Sequence, residues 1–340
     1  MKHVFLLNPT AGTGKFQAGL KEKIKEAAGK QGVDFEIHVT TGIDDARDFT
    51  AAYDKILAAR FYAIGGDGTL NETVNGILKR EGYSELAVIP CGTGNDFVRT
   101  FPNKTDFLNL EKLIAAKAQP IDAFTTDAGL CGINMINIGI DAQTAADVHK
   151  FSRFFPGSLA YIVSLINRFI RKIGIEMEVS VDDAPPIKGN FSLTSFANGK
   201  TCGGGFYAAP KANVADGLLE ITSVRKVTKL QFLQLVKGYK EGTHVDNPKY
   251  APFLVCCRGR KASMKCASPT EICIDGVIIK TDHISVEILP QAINFVIPEY
   301  INDIYSKRPR KNPWSFFIRF IIVENRKIRQ YPEPSWLRQL

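Results

Sequence analysis

Two short glycine-rich segments carry most of the chemistry legible in this chain. Gly65-Gly66-Asp67-Gly68-Thr69 follows the apolar run Phe61–Ile64, and Gly92-Thr93-Gly94-Asn95-Asp96 follows Leu86–Ile89. Glycine lets a backbone approach a ligand closely and adopt conformations closed to other residues. Backbone N–H groups exposed at a helix start favour an anion such as phosphate. One such loop is equally a tight strand-to-helix connection. Two in neighbouring units, each with a Thr and an Asp, point to a phosphate-bearing ligand. A third turn, Asn8-Pro9-Thr10-Ala11-Gly12-Thr13-Gly14-Lys15, follows the apolar stretch Val4–Leu7. Lys15 is followed by Phe16, and the glycine spacing is not that of a Walker loop or a dinucleotide fingerprint. The plain reading is an ordinary first βα turn. The functional one puts Asn8, Pro9, Thr10 and Lys15 on the same ligand.

Phosphoryl transfer needs a phosphate cradle, Mg²⁺ and a group to take the acceptor's proton. Gly65, Gly66, Gly68 and Thr69 would form the cradle, with Asn71 and Glu72 on the helix that follows. Gly92, Thr93 and Asn95 would face it. Asp67 and Asp96 are the carboxylates placed for Mg²⁺, which takes oxygen ligands. Alone, Asp67 reads as a turn former and Asp96 as a helix N-cap. Inside paired phosphate-type loops, the functional reading of both is the stronger.

The elements that must position these loops show a βαβα rhythm. Strands are expected at 3–8, 34–40, 61–65 and 85–90, and helices at 16–31, 44–59, 69–80 and 108–117. That rhythm predicts a doubly wound parallel sheet covered on both faces. Ligands of such sheets sit beyond the carboxyl ends of the strands. All three loops fall there, and Thr40 joins the same rim. After about residue 121 the pattern changes to strands at 133–138, 176–181, 190–197, 218–225, 262–266 and 271–280. Only 157–173 and 227–240 read as helices. This predicts a second, mainly antiparallel β domain.

Composition bounds the rest. The chain has 340 residues, enough for two domains. Seven cysteines show no paired or His-spaced pattern, which predicts reduced thiols in a cytoplasmic protein. The N-terminus runs straight into a strand with no leader-like segment. No apolar run reaches the roughly 18–20 residues that span a bilayer. Residues 301–340 hold nine Lys/Arg against three acidic residues, so most of the net +8 sits in this tail. The body carries no nucleic-acid stripe. The tail's aromatic and aliphatic block, 314–323, is flanked by basic clusters, which predicts an interfacial anchor on a membrane's inner face. A helix docked on the body or on a partner chain is the alternative; vesicle binding after deletion of 301–340 separates them.

The segments NPTAGTGK (8–15), GGDGTLNETVNGI (65–77) and IPCGTGNDFVRT (89–100) resemble the bacterial diacylglycerol kinase family. That family is related to sphingosine and ceramide kinases and, more distantly, to NAD kinases and 6-phosphofructokinases. The likeness continues through Asn137-Ile138-Gly139, Gly203-Gly204-Gly205, Ala208-Ala209-Pro210 and Ala215–Leu219, covering roughly 2–298. It implies an α/β nucleotide-binding domain over 1–122, completed by a returning strand within 286–298 (Ala292–Ile297 its core). An antiparallel β-sandwich over 123–285 is inserted, and the tail 299–340 lies outside the pattern. It implies ATP and Mg²⁺ as cofactors, a lipid substrate at a membrane surface, phosphatidic acid as product and a homodimer. It also implies a second, structural Mg²⁺ held by one Asp side chain plus backbone carbonyls, with Asn213, Asp216 and Leu218 around the ion, against the plain Asp-Gly turn reading.

One position departs from the family. Where members carry Asp-Gly-Glu, with the Glu assigned as general base, this chain has Asp275-Gly276-Val277. Three readings stay open: Asp67 is the base, as the matching residue is in sphingosine kinases; Asp275 reaches the hydroxyl; or the chain binds nucleotide and lipid without turnover. The rivals to a lipid kinase are therefore a catalytically impaired pseudokinase and an NAD-kinase-like enzyme.

Overall fold

The computed structural model describes residues 1–12, 19–152 and 174–298, with short pieces at 155, 163–164, 167–168, 322–324 and 327–329. Lys15 and most of the expected helix 157–173 and of the tail lie outside the described residues. The tail pieces Ile322–Glu324 and Lys327–Arg329 form an antiparallel pair.

The N-terminal half is built from β1 (Lys2–Leu7), α1 (Leu20–Gln31), β2 (Phe35–Val39), α2 (Asp45–Ala52), β3 (Ala59–Gly65), α3 (Asp67–Lys79), β4 (Ser84–Pro90) and α4 (Leu110–Ala115). Strands β2, β1, β3 and β4 pair in parallel, in that order. β3 is buried along its whole length, as a strand covered on both faces must be. Two 3₁₀ turns, Phe97–Thr100 and Lys104–Leu108, link β4 to α4. Phe97, Phe101, Phe107 and Phe295 meet there in one aromatic cluster. The expected helix 44–59 stops at Ala52, because Tyr53 turns to an extended backbone.

The second half contains β5 (Ala118–Thr126), β6 (Cys131–Gly132), β7 (Met135–Gly139), α5 (Ile140–Ser152), β8 (Ile175–Val181), β9 (Ile187–Ala197), β10 (Leu219–Arg225), α6 (Lys229–Glu241), β11 (Leu254–Gly259), β12 (Lys261–Ile274) and β13 (Val277–Val296). The expected strand 262–266 lies within β12, but the expected strand 271–280 is broken by the Asp275-Gly276 turn, both residues at positive φ, and is divided between β12 and β13. The β12 ladder to β13 breaks between Lys265 and Thr270, a stretch that contains Pro269 and so lacks a backbone donor. α5 carries few apolar residues at helical spacing, and β5 is interrupted by Pro120; neither gives a clear periodic signal.

The halves share one hydrogen-bonded sheet through β13. Its start pairs antiparallel with β12, and its end runs parallel to β4, with Asn294 opposite Glu85 and Phe295 opposite Leu86. β5 follows β13 antiparallel from Val286 to Val296, with a bulge between Leu289 and Ile293. The cleft between the halves is thus framed by continuous sheet.

Candidate active site

The two glycine loops are stitched together backbone to backbone. The N–H groups of Cys91 (2.9 Å) and Gly92 (3.2 Å) donate to the Gly65 carbonyl. A Cβ on Gly92 would overlap the Gly66 Cα, and one on Gly65 would overlap the Thr69 side chain. Glycine is required here by close approach. Asn95, held at φ 48°, accepts from the Gly92 N–H and donates its side-chain amide to the Gly92 carbonyl (2.6 Å). The first turn joins them: the Asn8 amide donates to Thr69 Oγ1 (3.0 Å), while its oxygen accepts from the N–H and hydroxyl of Thr10. Thr93 and Gly68 are exposed on the same rim, and Pro9 and Thr10 are exposed beside them. Thr40 is buried there, with its N–H and hydroxyl both on the Leu7 carbonyl.

Asp67 and Asp96 are brought together. The Asp96 N–H donates to Asp67 Oδ1 (2.8 Å), and a Cβ on Gly94 would touch both carboxylates. Burial raises the Asp67 carboxyl above its ordinary range, opposed by the backbone N–H groups of 95–97. Burial and then the Asp67 charge push Asp96 up to about 6. Asp96 Oδ2 accepts from the Gly204 N–H (3.0 Å), whereas Oδ1 is buried without a hydrogen-bond partner. Two crowded carboxylates, one with an orphaned buried oxygen, fit a hard divalent cation. Arg99, which carries no pattern of its own within 89–100, donates to the Gly94 carbonyl and lies 3.8 Å from Asp96 Oδ1.

The cleft is further lined by Asn71, Asn134, Asn137, Asp141, Cys202, Cys273 and Asp275. Asp141 is not among the residues expected from the sequence, because α5 carries no motif; the Cys202 thiol is its hydrogen-bond partner. Asp141 and Cys202 also line an adjoining apolar cavity with Leu193, Phe206, Phe232 and Leu235.

Three expected residues have their polar atoms committed elsewhere. The expectation that Asp275 takes the acceptor's proton is corrected by its geometry. Its Oδ2 accepts from Ile133 (2.7 Å), its Oδ1 from Met135 (2.7 Å), and the Asn134 N–H is shared between the two, so three buried backbone donors hold the carboxylate. It fastens the 133–135 backbone. The Asn71 amide donates to the Cys131 carbonyl (2.9 Å). The Glu72 carboxylate accepts from the backbone N–H groups of Asp44 and Ala46 at the start of α2. Val277 is 37% exposed at the start of β13, directly after Gly276, which lines the cleft.

The structural metal expected at Asn213, Asp216 and Leu218 does not fit the residues as placed. Asp216 Oδ2 is hydrogen-bonded to the Arg258 guanidinium, and Oδ1 accepts from the Leu218 N–H. Asn213 Oδ1 accepts from the Ala215 N–H. A divalent ion about 4 Å from the guanidinium would meet repulsion on the order of 8 kcal/mol at an effective dielectric of ~20. The turn reading accounts for Asp216-Gly217: Gly217 adopts φ 75°.

Comparison with known proteins agrees with this architecture. Residues 2–126 match the diacylglycerol kinase catalytic domain, and 134–297 match the YegS C-terminal NAD kinase beta sandwich-like domain. The fold therefore joins a kinase catalytic domain to a β-sandwich-like one. A "Probable lipid kinase YegS-like" of Pseudomonas aeruginosa is 30% identical over 61% of this chain and 68% of its own length. The diacylglycerol kinase of Bacillus subtilis is 25% identical over 80% and 88%. A diacylglycerol kinase crystal structure from Bacillus anthracis superposes with a TM-score of 0.65 at 20% identity, covering 87% of this chain and 96% of that one, a likeness of fold. The chain belongs to the diacylglycerol kinase family of lipid kinases.

The Asp67–Asp96 pair makes a pH prediction. Asp96 titrates near 6 in the folded protein and near 3.8 unfolded. Between those values the folded state holds a proton that the unfolded chain releases, so metal-free stability falls as pH rises from about 4 to 6 and then levels. The full shift corresponds to about 3 kcal/mol. Burial also pushes Asp275 up to about 6, so urea midpoints measured across this window in EDTA should show the fall, and Asp96→Asn should reduce it to the part that Asp275 contributes. An equal slope in the variant would remove Asp96 as its source.

Proposed function

We propose that this chain transfers the terminal phosphate of ATP, with Mg²⁺, to the hydroxyl of diacylglycerol or a similar lipid, yielding ADP and phosphatidic acid. The observation that carries the reading is the convergence of Asp67, Asp96 and the two glycine loops in one cleft. The loop N–H groups and Thr69 hold the phosphates, and Arg99 adds positive charge beside them. Mg²⁺, when bound at Asp96, whose Oδ1 has no hydrogen-bond partner, would neutralise phosphate charge. Asp67 would then take the hydroxyl proton as the lipid oxygen bonds to phosphorus and the bond to the ADP oxygen breaks. The apolar cavity that meets the cleft at Asp141 and Cys202 supports an acceptor with a hydrocarbon part.

Purified protein with labelled ATP, Mg²⁺ and a panel of diacylglycerol, other long-chain alcohols and NAD tests the reading. Label is expected in diacylglycerol or another long-chain alcohol. Label in NAD alone, or in nothing while nucleotide still binds, overturns it. Val277→Glu separates the base assignments. With Asp67 as the base, the rate stays within about threefold. A gain approaching the 10²–10⁴-fold scale of a general base would move that role to position 277.

A further inference from the structure

Two buried carboxylates converge where the 213–218 turn runs into β10, outside the set of residues that line the cleft. The Asp216 side chain is 2% exposed and that of Glu220 is 9% exposed. Burial raises both carboxyls above their ordinary range, and Arg258 opposes the shift in each. Carboxylates so placed need a nearby cation. Arg258 supplies it: its guanidinium bonds Asp216, and its Nε lies 2.9 Å from Glu220 Oε2. The reach follows from sheet register, since Glu220 on β10 stands directly opposite Arg258 on β11.

The turn held in this way also grips the strands that join the two halves. The Gly217 N–H donates to Asp122 Oδ2 (2.6 Å), and the same carboxylate accepts from the Gln291 N–H (2.8 Å). The Asp122 N–H donates in turn to the Val214 carbonyl (2.6 Å). Asp122 is on β5 and Gln291 is at the bulge of β13. Arg258 therefore ties the β10–β11 pair to the junction.

We infer that Arg258 does in this chain the work a divalent ion would do at the 213–218 turn, so that the turn and the junction behind it are held without metal. The ion expected there from family likeness is replaced by a side chain whose charge pH and chelators do not remove.

Thermal melts of the full chain, without nucleotide or lipid, test this independently of any kinase assay. Running them in an Asp67→Asn, Asp96→Asn background removes both carboxylates of the pair placed to hold a cation in the cleft. The parent protein should melt at the same temperature in EDTA, Mg²⁺ and Ca²⁺. Arg258→Gln should melt several degrees lower in EDTA and recover part of the loss when Mg²⁺ or Ca²⁺ is added. Arg258→Lys, which keeps the charge, should retain most of the stability and the indifference to metal. A parent melting temperature that falls in EDTA and returns with Mg²⁺ overturns the inference. So does an Arg258→Gln protein as stable in EDTA as the parent.

Discussion

Asp67→Asn is expected to lower phosphoryl transfer by about 10²–10⁴-fold, the range for loss of a general base, without loss of the fold. The amide keeps the shape and one acceptor for the 95–97 backbone N–H groups, but it takes no proton. Stability should change little: the new NH₂ faces some of the 95–97 donors, as it would at Asp275, but here a second effect offsets that loss. Asp67 and Asp96 repel each other in a buried site, and neutralising one relieves the other. Labelled-ATP turnover and a thermal melt on the same preparation read the two effects. Lost activity with a melting temperature close to the parent's is the expected signature. A variant that still turns over within tenfold of the parent would remove Asp67 from the proton-transfer role. A variant that has also lost several degrees of stability would show that Asp67 is mainly structural.

Asp275→Ala should show the opposite profile, a large loss of stability. Three buried backbone N–H groups, those of Ile133, Asn134 and Met135, lose their shared acceptor in one substitution. An unsatisfied buried donor costs about 1–3 kcal/mol, so a total of at least about 3 kcal/mol is expected. Asp275→Asn should recover only part, because its NH₂ would face donors instead of accepting from them. Denaturant midpoints on both variants check the order parent, Asn, Ala. If Asp275→Ala unfolds like the parent and only turnover falls, the residue acts on substrate and the geometric argument against it is wrong. Together the Asp67 and Asp275 variants separate two aspartates that look alike in one dimension.

The loops, the parallel sheet and the kinase family are all legible in the amino-acid sequence. Each rests on local information. Gly65, Gly66 and Gly92 are marked by residue type, and β1, β3 and β4 by unbroken apolar runs. Asp67 and Asp96 stand out by their place beside those glycines. Arg99 does not stand out although it lies in the same segment, because a lone Arg after a turn carries no pattern. Asp141 is hidden for a related reason: nothing local distinguishes it from other acidic residues at a helix start.

What the sequence determined by itself was the chemistry at strand ends, because glycine spacing and hydrophobic runs are short-range properties. Only the tertiary structure decided which carboxylates stay available. Asp275 is occupied by the 133–135 backbone, about 140 positions earlier in the chain, and Asp216 by Arg258, 42 positions later. Whether a carboxylate serves a ligand or the fold depends on which donors the packed chain brings to its lone pairs, and those donors come from elements distant in sequence.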